Sequence, residues 1–346
     1  MPNMSISTMR ILWIVDGVTG TESEGYRSAL ASNRYRAILP AQALREQGHQ
    51  VIFIAPDSWH WRDGVLPDVV VVGKLLAAGE GERFHRVSRH VLSQIELALR
   101  AGVPVLADFN DDHFNHSVMG MYWRQLVRAV AVVGDPIGSP LADVRVFRTP
   151  RGLQKWGRKI LPGAAVPRLK LVWYGNPVNW PAMQSWADML APLAQKQRFV
   201  LWVVTRPTPE IRAFVGTYNE KNAPAAIAEL IEWDEQTQWE VVQDADIVLI
   251  PADVTDQRKS VKTSNRLVDA LNAGRSVVAS PLPSYRKFEG EVSLVDDPLA
   301  AVRWIVDHPN EAFARTARGQ MAARAACGID AVAESWERAL QTGVNK

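Results

Sequence analysis

Between Lys259 and Ser280 the chain reads KSVKTSNRLVDALNAGRSVVAS. Its second half is a short apolar strand after a glycine. Its first half opens a helix with Lys262, Thr263, Ser264, Asn265 and Arg266. Positions 262, 266 and 269 are spaced by four and three, so Lys262, Arg266 and Asp269 would share a helix face, with Asn265 beside it. Leu267, Val268 and Leu271 occupy a packing face. The start of a helix carries unpaired N–H groups and a partial positive charge, so cations there oppose the helix itself. They make sense where an anion binds, and a diphosphate is the natural candidate. The alternative is a solvated first turn, with Arg266 and Asp269 as a surface ion pair.

Other stretches also carry chemistry. ADFNDDHFN (107–115) follows an apolar strand, and Asp108, Asp111, Asp112 and His113 could bind a sugar hydroxyl or act as a base. Helix capping by Asp111 or Asp112 is the competing account. A single acid cluster supplies no full ligand set for a metal. The loop DGVTGTESEGYRSALASNRYR (16–36) holds Gly17, Gly20 and Gly25, which allow close backbone approach to a ligand or simple flexibility. Its spacing does not fit a dinucleotide fingerprint. Arg34 and Arg36 could meet an anionic acceptor or lie on the surface. Arg206 stands directly after VLWVVT, where an arginine can grip phosphate with two N–H groups. Gly175 and Asn176 follow the run at 169–174, and Trp233 and Asp234 end another. Trp233 is either part of a ligand site or core. A nucleophile elbow, a Walker loop and Cys/His metal spacing are all missing.

These residues need a scaffold, and the apolar pattern supplies it. Continuous runs at 10–16, 50–56, 68–73, 103–109 and 129–135 suit strands buried on both faces of a parallel sheet. Helical patterns at about 34–47 and 83–101 end at Gly48 and Gly102. The segment 149–168, rich in glycine, proline and basic residues, breaks the rhythm and reads as a junction. A second series of strands runs 169–175, 198–205, 228–233, 245–251, 275–280 and 291–296, with helical segments near 309–326 and 330–342 closing the chain. The expectation is two tandem Rossmann-like, doubly wound parallel-sheet α/β domains, residues 1–160 and 168–326. Ligands in such sheets sit beyond the carboxyl ends of strands, so two facing domains would make a cleft.

Composition agrees with a globular chain. The 346 residues exceed one ordinary core. A net charge of +2 is too weak to argue for nucleic acid, but it is compatible with contact with an anionic membrane surface. One cysteine, Cys327, rules out a disulfide framework and points to a reducing compartment. The apolar run Ile11–Val15, closed by Asp16, is too short for a secretory segment, and no window reaches the length of a spanning helix, so the cytoplasm is expected. Thirteen tryptophans are read as core and interface residues.

KTSNRLVDALNAGRSVVAS resembles the donor-binding segment of GT-B glycosyltransferases, above all the retaining, family-4-like group. SNRYRAILPAQALREQGHQVIFIAP (32–56), LVWYGNP (171–177), WEVVQDADIVLIPAD (239–253) and CGIDAVAESWERAL (327–340) are similar to other parts of that fold in the same order. The last resembles a closing helix, here 327–346, that crosses back to the first domain. The family pattern is Glu, seven residues, Glu. Asp269 takes the second place, and Val261 stands where the first acid would be. The resemblance implies a glycosyltransferase, retaining at the anomeric carbon, moving a sugar from a nucleotide-sugar donor on the second domain to a glycan, glycolipid or protein acceptor on the first. Lys262 and Arg206 would stabilise the departing diphosphate, Asp269 would accept ribose hydroxyls, Trp233 and Asp234 would border the nucleobase, and residues 108–113 would face the sugar. Basic groups would replace a metal, and no cofactor beyond the donor is expected. The setting implied is cell-surface polysaccharide or glycoconjugate assembly, with room for peripheral attachment to the inner membrane face. Two alternatives stay open: a sugar-nucleotide epimerase of the same fold, and a catalytically silent, sugar-binding relative.

Overall fold

The computed structural model describes residues 8–61, 66–73, 82–108, 168–255 and 263–344. These fall into two compact units: one holds the described residues of 8–108, Thr263 and 326–344, the other 168–255 and 264–325. The expected strand at 129–135 and the junction at 149–167 lie outside the described residues.

The first unit begins with strand β1 (Arg10–Ile14). Helix α1 (Ala31–Asn33) continues through a π-helical turn, Arg34–Ile38, into α2 (Leu39–Glu46). Strands β2 (Gln50–Ile54) and β3 (Val69–Val72), helix α3 (Glu82–Arg100) and strand β4 (Val105–Ala107) follow. The sheet is parallel throughout, in the order β2-β1-β3-β4. All four valines of β3 are fully buried, which is why that run shows no alternation. Val69 and Val71 face a core of Trp13, Leu44 and Trp336, and Val70 and Val72 face Trp59, Val91 and Ile95. The reading of 34–47 as one regular helix needs correction at its start. The helix begins earlier, at Ala31, and widens by a π turn around Arg36.

The second unit contains β5 (Leu169–Tyr174), α4 (Trp180–Leu190), β6 (Phe199–Thr205), α5 (Pro209–Asn222), β7 (Ala226–Glu232), α6 (Glu235–Asp244), β8 (Ile247–Ile250), α7 (Asn265–Asn272), β9 (Ser276–Ala279), β10 (Ser293–Leu294), α8 (Pro298–Asp307) and α9 (Pro309–Cys327). Its sheet runs β10-β9-β8-β5-β6-β7, again all parallel. Counted within the unit, this is the 3-2-1-4-5-6 order of the dinucleotide-binding folds read backwards. The order reverses between β5 and β8. In the first unit it reverses between β1 and β3. Such switch points leave a crevice at the carboxyl ends of the two strands, and both units carry candidate residues there.

Helix α10 (Ile329–Val344) ends the described chain and belongs to the first unit. Val332, Trp336 and Leu340, spaced by four, enter its core beside α2. Trp336 packs on Trp13 with ring centroids 4.6 Å apart. Replacing a buried tryptophan by alanine leaves a cavity that costs about 3–5 kcal/mol. Trp336→Ala should therefore lower the urea unfolding free energy of the first unit by that amount, and its midpoint with it, followed through tryptophan fluorescence. An unchanged midpoint would mean that α10 only decorates the unit.

Candidate functional site

Helix α7 follows the loop after β8, so its N-terminus lies on the switch-point edge of the second sheet. The helix begins at Asn265 with Ser264 as its N-cap, three residues later than the stripe reading placed it. Lys262 lies outside the described residues. Leu267, Val268 and Leu271 are fully buried as expected, but so is Asp269, at 1% exposure. A surface ion pair between Arg266 and Asp269 is thereby excluded. Asp269 offers almost no open surface to a ribose. Its charge acts instead on Tyr174, whose hydroxyl is pushed well above its ordinary pKa by burial first and by Asp269 second.

Arg266 is the centre of this region. Tyr174, the last residue of β5, donates a hydrogen bond of 2.9 Å to its carbonyl. The guanidinium reaches across to Gly175. A Cβ at that position would sit 3.4 Å from Arg266 Nη1 and 3.2 Å from the Trp173 ring. Burial raises the pKa of Tyr285, in the turn after β9, and the positive charge of Arg266 partly offsets this. Nη1 itself is buried and has no hydrogen-bond partner among the described residues.

Ser264 is similar. It is 1% exposed, and its hydroxyl finds no partner among the described residues. Thr208, Asp234 and Asp297 each cap their helices with side-chain bonds, whereas Ser264 makes none. A buried polar group without a partner costs about 1–3 kcal/mol. Two such groups at one helix start mark a place where donors await an acceptor.

The other predicted residues of this unit surround the same edge. Thr205 Oγ1 donates to the Gly175 carbonyl at 2.7 Å, tying the ends of β5 and β6 together. Arg206 comes next and is exposed, and no described residue pairs with it. Asn176 is used locally: its Oδ1 accepts from Val178 N at 3.0 Å. Asp234 is a helix cap, held below the usual carboxylate range by bonds from the Thr237 hydroxyl and backbone N–H. Trp233 is half-buried, and its indole N–H donates to Gln238 at 2.7 Å. Asn265 is the half-buried first residue of α7. Tyr174 and Tyr285 were not foreseen. Tyrosine in a strand reads as core, and only the folded chain shows both beside one arginine.

The first unit holds a different arrangement. Arg36, 8% exposed, projects from the π turn onto Asp108 after β4. Its Nε donates to Asp108 Oδ2 at 3.1 Å and its Nη2 to Oδ1. Reading Arg36 as a surface charge therefore fails, and Asp108 has both oxygens committed to a guanidinium rather than open to abstract a proton. Trp13, Ser32, Asn33 and Gly73 complete a recess of about 10 Å³ around the pair, room for roughly one water. Arg34 clamps the preceding loop by donating to the Ser28 carbonyl at 3.0 Å.

The glycines of that loop serve its own shape. Gly17, Gly20 and Gly25 all have positive φ. Thr19 and Arg27 exchange two backbone bonds of 2.9 Å, and a Cβ at Gly20 would lie 2.3 Å from the Gly25 carbonyl. The close approach is to the loop itself, which is a built hairpin rather than a slack connection. Asp111 and His113 lie outside the described residues. Among those described, no group of three His, Cys, Asp or Glu could hold a metal, and no helix is long and apolar enough to cross a membrane.

No protein-family model matches the chain, and no curated protein matches it in sequence. Solved structures do match. A glycosyltransferase from Rickettsia africae aligns over 99% of this chain and 100% of its own, at 12% identity and a TM-score of 0.57. The Anabaena protein HepE, solved with UDP and glucose, aligns over 96% and 100%, at 10% identity and 0.55. The UDP-GlcNAc 2-epimerase of Neisseria meningitidis, bound to UDP-GlcNAc, gives 96% and 100%, 12% and 0.54. The chain has the GT-B fold. In this GT-B chain the switch-point edge of the second unit carries Arg266, Ser264, Gly175 and Arg206, and that of the first carries Arg36 and Asp108.

Removing one member of a buried ion pair leaves an uncompensated charge and costs about 3–5 kcal/mol. Asp108→Ala should lose that much stability in urea denaturation, and the double change Arg36→Met with Asp108→Leu should recover most of it. A fully stable Asp108→Ala protein would mean that the pair is not closed in solution.

Proposed function

We propose that this protein is a glycosyltransferase that takes its sugar from a nucleotide sugar, with the diphosphate held at the start of α7. The observation that carries the reading is the Arg266 guanidinium beside Gly175, with a buried N–H open at a helix N-terminus and the unpartnered Ser264 hydroxyl two residues before it in the chain. Structures of the same fold contain UDP with glucose, and UDP-GlcNAc, which supports a nucleotide-sugar ligand here.

The chemistry follows from the charges. The bond between the anomeric carbon and the phosphate oxygen breaks, and its electron pair leaves with the nucleoside diphosphate. Negative charge grows on the terminal phosphate as this happens. Arg266 and the N–H groups of α7 are donors held in place before the reaction, the arrangement that stabilises developing charge most effectively, and the exposed Arg206 would join them. Lys262 would add to them. The acceptor hydroxyl replaces the phosphate at carbon and gives up its proton. Asp108 is assigned to holding Arg36, and Asp111 and His113 keep the proposed role of facing the sugar. We assign retention of anomeric configuration, a glycan or glycolipid acceptor on the first unit, and action at the cytoplasmic membrane face to this reading as its finer parts. They rest on the resemblance of the donor segment.

An epimerase is the second reading, favoured by the presence of one among the matching structures. Incubation with UDP- and ADP-sugars, analysed by NMR, separates the two. Nucleoside diphosphate released with a glycosylated or hydrolysed product is the expected result, whereas an isomerised sugar still joined to its nucleotide would favour the epimerase. Arg266→Ala should lower kcat/KM by about tenfold to a hundredfold, the worth of a charge-assisted contact. Binding without turnover of any donor would replace both readings by a silent sugar-binding protein.

A further inference from the structure

Resting on that reading of the α7 site, we propose that Tyr174 is a positioning residue, which anchors the first turn of α7 to β5 and so keeps the donors of that turn aimed at the diphosphate. Helix α7 is eight residues long and starts without a side-chain cap. A helix that short holds its first turn poorly by itself, because its opening N–H groups have no partners inside the helix. A serine at the N-cap normally bonds back to one of them. Ser264 stands at that position, and its hydroxyl makes no such bond. The restraint comes from the other side of the turn. Tyr174, the last residue of β5 and 4% exposed, donates its hydroxyl proton to the Arg266 carbonyl at 2.9 Å. The two residues are 92 positions apart, so the bond ties the end of an internal strand to the start of the helix.

The choice of a carbonyl as the anchor point matters. In a helix the N–H groups point toward the N-terminus and the carbonyls away from it. A carbonyl oxygen has two lone pairs, so that of Arg266 can serve the helix ladder and the phenol together. The anchor therefore uses neither the Ser264 hydroxyl nor Arg266 Nη1, both buried and without a partner among the described residues. The strand is a firm base. It pairs with β6 and β8 on its two sides, and Trp173, next to Tyr174, packs on Trp180 with ring centroids 5.7 Å apart. Burial first and the Asp269 charge second keep the phenol protonated, so it stays a donor. A ligand that had to order a loose turn would lose affinity in doing so, and a turn held in advance avoids that loss. A tyrosine kept only for packing would need the ring and not the hydroxyl.

The test compares Tyr174→Phe, which keeps the ring, with Arg266→Ala and with the double variant. Thermal midpoints check that each folds, and calorimetric titration with UDP, ADP and GDP and with their nucleosides reads the site. Tyr174→Phe should weaken the diphosphate that wild type binds by about three- to tenfold, consistent with the loss of one hydrogen bond, and leave the nucleoside unchanged. Hydrogen exchange over residues 264–272 of the unliganded protein should quicken in the same variant, because the first turn opens more often. In the double variant the loss should be smaller than the product of the two single losses, since part of what Tyr174 positions is Arg266. Wild-type diphosphate affinity or wild-type exchange in Tyr174→Phe would overturn the proposal. Equal weakening of nucleoside and diphosphate would overturn it too, by marking a role in the unit as a whole, and so would losses that simply multiply. If Arg266→Ala leaves diphosphate affinity intact, the site reading fails first and the inference falls with it. A damaging Arg266→Ala beside a silent Tyr174→Phe overturns only the inference.

Discussion

A cation at the start of a helix opposes the helix's own field by a few tenths of a kcal/mol, and burying part of it adds to the cost. Arg266 is held there nonetheless. The surrounding parts of the second unit are arranged around that constraint. The strand order places the end of β5 beside β8, so α7 starts over the crevice. The Arg266 guanidinium lies against Gly175, where a Cβ would be 3.4 Å from Nη1. Tyr174 fixes the backbone of Arg266 by donating to its carbonyl. A structural arginine would be expected to find a carboxylate, and the hydroxyl of an N-cap serine would be expected to cap its helix. Neither happens among the described residues.

The two buried arginines show how the same side chain is set to different tasks. Arg36 is brought inward by a π turn and closed off by Asp108. π turns inside α-helices cost regular hydrogen bonds and recur at functional sites. Here the turn sits where the first sheet reverses its order, above a recess that fits about one water. The pair ties the helix after β1 to the end of β4 and stiffens that edge. Arg266 keeps its charge available. Within each unit, the switch point is where the chain accepts local cost, and in both cases an arginine is the residue placed there.

Much of this was legible in the sequence. The valines of β3 and the continuous apolar runs of β5, β6 and β8 have the pattern of strands covered on both faces, and they are. Gly48, Gly102 and Gly274 stop helices through positive φ, as their positions suggested. The pairing of residues far apart in the chain was not legible. Arg36 and Asp108 are 72 residues apart, and nothing local to either announces the other. Asp269 looked like one edge of a polar stripe because spacing along a helix says which residues share a face, not which face is covered. For Gly17, Gly20 and Gly25 the sequence left ligand approach and simple flexibility both open, because it shows that a residue lacks a side chain without showing what comes close. What came close at Gly20 was the carbonyl of Gly25. Asp234 and Asn176 stood at strand ends, where functional residues gather, and both are spent on local turns.

The central claim is that the start of α7 recognises phosphate rather than base or sugar. Calorimetric titration of the intact protein with a nucleoside, its monophosphate and its diphosphate, run at two salt concentrations, tests it directly. The account predicts that affinity climbs with each phosphate, that the diphosphate binds at least tenfold more tightly than the nucleoside, and that this gain shrinks as salt rises. Equal affinity for the three, independent of salt, would contradict it.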